Sequence, residues 1–503
     1  MNAVLITGAG PTGLVLALFL ARKGVPLRII DKNTGPGRTS RAMAVHARTL
    51  EFYRQLGIAE EAVQKGIKVN AVHVREGHKE KGRVNLGDIG EGLSPYPFVL
   101  SFAQDEHERF LLKHLNAAGV EVEWKTELVS YSDKGGFVEA EIRKEEQTEV
   151  IETAFLCGCD GAHSTVRRGL DLDFPGGTYE HTFYVADVKA SGEAASKHDL
   201  NLCLEEAGFC IVFPVRSTGM NRFVGIVPSA LENRETLSFK DIAPFAEKLL
   251  HVKVHEVNWF STYRVHHRVA DQFRKGRVFI LGDAGHIHSP VGGQGMNTGI
   301  GDAVNLAWKL AGVLNERVDE IILDSYETER IAFARSLVAT TDRAFQAVVG
   351  QNARGRLVRT VLIPRIAPFF LRFPPIKKAA FNRVSQIRIH YRDSLLSMGK
   401  AGKLQGGDRL PWISVGRNDN FEALKTAAWQ VHIYGKANPG LLTIAKQHNL
   451  PLHEFAWSRA SANAGLRRDA LYLVRPDGYI ALADSEQTIN KLTEYLSKFK
   501  IRN

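Results

Sequence analysis

The chain has 503 residues, 44% of them apolar and 24% charged, with a net charge of +10, which allows roughly two to four domains of ordinary globular composition. It holds no uninterrupted apolar run of about 18 residues, which excludes a transmembrane helix on hydropathy. The charge is local: between Asp342 and Asp393 stand eleven Lys/Arg and no Asp/Glu, and outside that stretch 54 basic residues face 55 acidic ones, which argues against a general nucleic-acid surface. The apolar N-terminus resembles a signal peptide. Its early glycine motif, the lack of a basic leader and the lack of a small-residue cleavage site argue against one. Cys157, Cys159, Cys203 and Cys210 lack zinc-finger spacing and read as buried, reduced thiols of a cytoplasmic protein.

Taken in order, residues 2 to 32 predict strand, glycine turn, helix, strand. Ala3 to Thr7 is apolar and β-branched, Gly8-Ala9-Gly10-Pro11-Thr12-Gly13 fits GxGxxG, Leu14 to Arg22 is a good helix, and Gly24 stops it. Leu27 to Ile30 is a second strand, ended by Asp31-Lys32. This is the dinucleotide-binding fingerprint in its required context. Gly8 permits the tight turn, Gly10 close approach to a pyrophosphate, and Gly13 close helix–strand packing. Asp31 can accept hydrogen bonds from a ribose diol. The fingerprint does not separate NAD from FAD. Next, Arg38, Arg41 and Arg48 offer guanidinium groups to the same diphosphate or belong to a solvated loop and helix start. Phe102 to Gln104 ends a strand, and a helix begins near His107.

Val120 to Trp124, Phe137 to Ile142 and Val150 to Leu156 predict strand hairpins; the last runs into Cys159-Asp160-Gly161, with a helix opening at Ser164 and Arg167 inside it. Residues 180 to 265 hold short alternating runs that predict a mostly antiparallel sheet, suited to the wall of a substrate cavity. Val278 to Leu281 then ends in Gly282-Asp283, and a loop with Pro290, Gly292, Gly293 and Gly295 leads to a helix near Met296 and Asn297. Glycines there allow close backbone approach, and a helix N-terminus favours an anion. Residues 354 to 392 mix Leu, Ile and Phe with basic residues and carry Pro364, Pro368, Pro374 and Pro375, so they cannot form one continuous α-helix. They read as helices packed on the first domain, or as a contact with an anionic membrane surface or a hydrophobic acidic substrate.

The three motifs, Gly8 to Gly13 with Asp31, Asp160-Gly161 with Arg167, and Gly282-Asp283 with its glycine loop, together resemble the single-component FAD-dependent aromatic hydroxylases of the para-hydroxybenzoate and phenol hydroxylase type. Gly407-Asp-Arg-Leu-Pro411 and Val474-Arg-Pro-Asp-Gly-Tyr-Ile480 resemble the C-terminal thioredoxin-like domain of the phenol hydroxylase branch; without cysteine it has no disulfide chemistry and reads as structural, as part of a subunit contact in a homodimer. The resemblance implies an α/β fold: a Rossmann-like FAD-binding domain (1–178 and 266–395), an inserted, mostly antiparallel substrate sheet (179–265) and the thioredoxin-like unit (404–503).

It also implies site roles. Gly8, Gly10, Pro11, Thr12, Gly13, Asp31 and Lys32 would hold the ADP part of FAD, Arg41 the pyrophosphate, Gln104 the flavin chain and Leu128 the adenine. Asp160 would be the DG aspartate, and Gly282 and Asp283 would hold the ribityl phosphate. Pro290, Gly293, Gly295, Met296 and Asn297 would form the loop and helix start under the flavin ring. The implied activity is hydroxylation of a phenolic or polycyclic aromatic substrate with O2, through a flavin C4a-hydroperoxide, with NADPH or NADH as a transient co-substrate. An antibiotic-modifying or Baeyer–Villiger-type oxygenase on the same fold is the alternative. No catalytic base is named by motif. His46 and His286 stand beside the motifs, as do His163, His266, His267 and His288, and a structural role is the expectation for His286. His266 and His267, adjacent in sequence, point apart, so no metal site is expected.

Overall fold

A computed structural model describes residues 2–37, 42–77, 79–205, 208–232, 234, 236–349, 353–415 and 418–502. At its centre lies Asn2–Thr7, paired in parallel with Leu27–Asp31 on one side and Gln147–Gly158 on the other. Val122–Trp124 and Val278–Ile280 extend this sheet outward, again in parallel. Its Val, Leu and Ile residues are covered on both faces, as parallel strands require. Helix α1 (Pro11–Arg22) starts with proline at its first turn, where no N–H is needed, and Gly24 at φ +69° turns the chain back. Helices α2 (Ala47–Leu56) and α3 (Gln104–Ala117) follow. The helix expected near His107 thus begins three residues earlier, at Gln104. Leu128, expected just after a strand, lies inside one: Thr126–Asp133 pairs with Val138–Lys144, and Leu128 is buried opposite Ile142.

The second sheet runs in the order His286–Ile287, Val252–Val269, Gly176–Gly192, Asn221–Ile226, Gly208–Pro214, Leu200–Glu205, Ala71–Glu76, Lys79–Asn85. It is antiparallel except where Leu200–Glu205 meets Ala71–Glu76. Two of its strands therefore come from residues 71–85, well before the stretch 179–265. Helix α4 (Phe239–Leu250) is started by a Ser238/Asp241 capping box and covers one face. The opposite face carries Phe183, Phe209, Tyr263 and Val265, closed by Phe345.

Helices α5 (Gly295–Leu314) and α6 (Asp324–Val349) return the chain to the first sheet. Residues 353–384 then wind as Ala353–Leu357, a π-helix Val358–Ile366 that contains Pro364, a short turn Ala367–Phe370 and, after a break, Pro374–Val384. The expected interruption of the α-helix takes the form of a wider turn around Pro364 and a restart at the Pro374-Pro375 pair. Among the described residues no helix is long and apolar enough to cross a membrane.

In the C-terminal unit, strand Gln430–Tyr434, helix Pro439–Gln447 and parallel strand Leu452–Phe455 are followed by the hairpin Leu471–Val474/Ile480–Asp484 and helix Ile489–Lys498. This is the thioredoxin-like arrangement, and all four cysteines lie outside it. It is keyed to the rest of the chain by a buried charge cluster. Glu329 of α6 accepts two bonds from Arg475, at 2.6 and 2.9 Å, and further bonds from Lys309, Asn305 and Ser394. Asp477 holds the same guanidinium from its other side. Burial alone would raise the Glu329 carboxyl; Arg475 and Lys309 overcome it and hold it well below the ordinary range.

Arg475→Ala strips Glu329 of its main partner and leaves charge stranded in the interior. The expected cost is about 3–5 kcal/mol, read as a lower urea midpoint, and pairing it with Glu329→Gln should restore part of the loss.

Candidate cofactor and substrate site

The turn after Asn2–Thr7 is shaped by contact between backbones. Gly8 sits at φ +97°, and a side chain there would collide with the Cys159 carbonyl; one on Gly13 would collide with the Gly8 carbonyl. Gly10 differs: a side chain there would meet nothing within 4 Å. Gly10 is the N-cap of α1, with no side chain capping the first N–H groups. An open space at an uncapped helix N-terminus could hold a diphosphate. Asp31 ties the turn to the second strand, accepting from Ala9 N at 2.7 Å and from Asn33 N at 2.8 Å. Both oxygens keep a second lone pair for a ligand hydroxyl. Lys32 is exposed beside it.

The second and third motifs close on this turn. Thr12 sits between Gly282 and Gly299: a side chain on Gly282 would lie 2.7 Å from the Thr12 hydroxyl, and one on Gly299 would collide with it. Asp160 accepts from Thr165 N at 2.7 Å and Val166 N at 3.2 Å. Its Oδ1 is buried and has no protein partner. Arg167 donates to the Ala162 and Ala284 carbonyls, both at 2.9 Å, and joins the DG stretch to the GD stretch. Asp283 is exposed in the short turn Gly282–Ala284. Behind that turn, Asp302 of α5 accepts from Gly282 N, from His286 Nε2 and from Arg330, at 2.6 to 3.0 Å. Burial opposes ionisation of Asp302, and Arg330 with His286 prevails, so its carboxyl stays below the ordinary range. His286 is thus engaged with buried Asp302. Motif reading passed over Asp302 and Arg330. The available signal was an aspartate in a helix whose neighbouring residues Gly299 to Val304 are otherwise small or apolar.

Asn297 fastens the glycine loop. Its amide donates to the Ala44 and Gly293 carbonyls, both at 2.9 Å, and its Oδ1 accepts from His46 N and the Thr49 hydroxyl. Its side chain is therefore spent on the protein, so only its backbone could serve a ligand. Gly292 and Gly293 have φ of +73° and +61°, and Gly293 lies against Ala44. His46 Nε2–H donates to the Gly292 carbonyl at 2.8 Å. The first turn of α5 has no side-chain cap. Pro290 is exposed at the loop's outer end, and Gly295 faces His288. Met296 packs partly against the core, its sulfur 3.3 Å from His107 Nδ1.

Gln104 holds the neighbouring segment: its N–H donates to the Ala42 carbonyl, and its side chain donates to Glu108, which accepts from Gly37 N. Arg38 and Arg41 lie outside the described residues. Arg48 departs from the diphosphate reading. It is buried, donates to Glu51 and to the Asp477 carbonyl, and lies over the Phe52 and Tyr479 rings. Phe213 of strand Gly208–Pro214 and Val215 just after it pack with Met43 and Ala103. Beyond them lies the aromatic cluster around Phe183 and Phe209. Of the other histidines, His163 is exposed, His266 bonds Thr178 and His267 packs on Tyr179. Among the described residues no group of three or more His, Cys, Asp or Glu could hold a metal ion.

A Rossmann-type sheet whose glycine turn packs through Thr12 on the Gly282 turn, joined to an antiparallel sheet with an aromatic face, is the arrangement of a flavoprotein of the aromatic hydroxylase class. The chain belongs to the FAD binding domain family, which matches residues 1–341. It is 33% identical to the 6-methylpretetramide 4-monooxygenase of Streptomyces rimosus, over 98% of this chain and 92% of that one. It is 32% identical to the pentachlorophenol 4-monooxygenase of Sphingobium chlorophenolicum, over 81% and 75%. Among solved structures, the anhydrotetracycline hydroxylase of Streptomyces rimosus superposes with a TM-score of 0.79 at 26% identity, over 99% of this chain and 98% of that one.

Gly8→Ala should cost most of the bound FAD and several kcal/mol of stability, because backbone blocks the new methyl at a left-handed φ. Gly10→Ala should leave the fold intact and lower FAD retention alone, measured as flavin absorbance after gel filtration. Burial also lowers His46 and His288 to about 4 and His107 to about 3, from an ordinary 6.5. Below about pH 6.5 the unfolded chain binds protons that the folded chain refuses. Stability is therefore complete above that pH and falls toward about pH 4, by at most on the order of 3 kcal/mol per histidine. Calorimetric melting at pH 7.5 and 5 checks this, and His288→Gln should flatten the difference.

Proposed function

We propose that the protein is an FAD-dependent monooxygenase that uses NAD(P)H and O2 to hydroxylate a phenolic or polycyclic aromatic substrate. The observation that carries this reading is the alignment of two uncapped helix N-termini on one seam. The open space at Gly10 could take the diphosphate, and the first turn of α5 could take the flavin ring edge, with Thr12 between them. The relatives named above support the choice of an aromatic ring as substrate.

Bound FAD supplies the oxygen-activating redox chemistry. This chain's residues provide position and electrostatics. Asp31, with a lone pair left on each oxygen, and Asp160, whose Oδ1 has no protein partner, would receive ligand hydroxyls, and Gln104 and Asp283 would stand beside the cofactor chain. The backbone N–H groups at Gly295 to Asn297, free of a side-chain cap, would present positive partial charge to a bound flavin. Asn297, His46 and Ala44 keep the loop from collapsing, so the ring meets a preformed floor. Phe213, Val215, Met43 and Ala103 exclude water on the substrate side. The sequence carries one GxGxxG, which supports nicotinamide binding as a transient visit.

Purified protein should be yellow, and NADPH oxidation should rise when a phenolic compound is added, with an oxygenated product by mass spectrometry. Asp283→Ala should release FAD more readily. Wild-type FAD retention and turnover in that variant would refute the assignment of the Gly282-Asp283 turn, and NADPH oxidation that no phenol stimulates would refute the hydroxylase reading.

A further inference from the structure

From the last turns of α6 to the C-terminal unit, the chain builds a surface that flavin chemistry does not use. The stretch from Asp342 to Asp393 holds eleven Lys/Arg and no acidic residue between its ends. It is held firmly from its inner side. Pro364 and Pro368 lie on Gly82 of the edge strand Lys79–Asn85, where a side chain would come 2.5 Å from Pro368. Phe381 occupies the space a side chain on Gly90 would need, and Lys377 pairs with Asp88 at 2.6 Å. Ile363 packs on the aromatic cluster of the inner sheet face.

Its outer side is apolar. Phe369, Phe370 and Phe373 are 52%, 47% and 48% exposed, and their rings contact one another with centroids 5.6 to 6.5 Å apart. Leu362, Ile366 and Ile376 are also exposed in this segment. Arg365, Arg372, Lys378 and Arg383 are exposed along the same stretch. Three clustered phenylalanines in water are costly, and such patches mark interaction sites. Here cations alternate with the aromatic residues and acids are missing. That combination suits a lipid–water boundary, with aromatic rings at the acyl edge and cations on phosphates.

We propose that this segment docks the protein on an anionic phospholipid surface, with Phe369, Phe370 and Phe373 entering the headgroup layer and Arg365, Arg372 and Lys378 pairing with lipid phosphates. The rigid backing from Gly82, Gly90 and Asp88 holds the wedge in place before contact, so little ordering is needed on binding. Through Ile363 the wedge adjoins the aromatic inner face of the antiparallel sheet. Docking therefore brings that face close to the lipid, where a hydrophobic ring compound would concentrate. This last consequence rests on the substrate-wall reading; the docking does not.

The test is flotation of the full-length, FAD-loaded protein with phosphatidylcholine vesicles, with and without about 30% phosphatidylglycerol. At low salt the protein should float with the anionic vesicles only, and about 0.5 M salt should release most of it. Phe369→Ser/Phe370→Ser/Phe373→Ser should lower partitioning at least about tenfold while flavin absorbance and melting stay as in wild type. Arg365→Glu/Arg372→Glu should lower it by a similar factor, since each contact with the anionic surface adds roughly one cation's attraction. The proposal is overturned if wild type stays unbound with anionic vesicles at low salt, or if the serine variant floats as well as wild type. It is equally overturned if light scattering shows a dimer that the serine variant alone dissociates while flotation is unchanged, which would assign the wedge to a second copy. Flotation with no phenol-stimulated NADPH oxidation would leave docking standing and remove the hydroxylase reading.

Discussion

Everything in this site depends on backbone being allowed to touch backbone around Thr12. Gly13 lies against the Gly8 carbonyl, and Thr12 fills the gap between Gly282 and Gly299. A single methyl at Gly8, Gly13 or Gly299 would separate elements that must meet. The glycines permit an approach that brings the N-termini of α1 and α5 onto one seam. Two helix starts with no side-chain caps would be a defect in a closed core, because free N–H groups would go unmatched. They are suited to a long ligand with an anionic middle and a ring at one end.

Around this seam, buried charge fixes position. Asp302 draws together the Gly282 turn, His286 and Arg330, and Arg330 continues to Tyr391 at the edge of the C-terminal unit. Arg475 reaches into the same neighbourhood through Glu329, and Arg48 links α2 to the Asp477 carbonyl. Helix α2 in turn bonds Asn297 through Thr49. The C-terminal unit, without a cysteine of its own, is thus connected by a chain of polar contacts to the loop under the proposed flavin ring. Replacing such clusters with apolar residues is often neutral for stability, whereas removing one partner is costly.

Much of this was legible in advance. The first βαβ unit follows from GxGxxG between two apolar strands with Asp31 at the end, and three glycine-bearing motifs in that order point to one family. Less was legible in side-chain use. Asn297, expected to serve the cofactor, spends its amide on Ala44, Gly293, His46 and Thr49. Met296 turns toward His107. Arg48 looked like a phosphate residue and is a structural cation. Strands from residues 71–85 enter the antiparallel sheet although nothing in their pattern names a partner more than a hundred residues away.

By itself, then, the sequence determined the local geometry: glycine where φ must be positive, proline where a helix starts or must widen, and alternation where a strand has two unlike faces. Each is a constraint on a few neighbouring residues, so it is written in a few neighbouring letters. Only the tertiary structure decided which glycine leaves open space and which meets backbone, which arginine is consumed by Glu329 or Glu51, and which phenylalanines line the inner face of the sheet or stand out in the solvent. Those outcomes depend on which distant segments arrive at the same place, and burial and electrostatics act through space without regard to position along the chain.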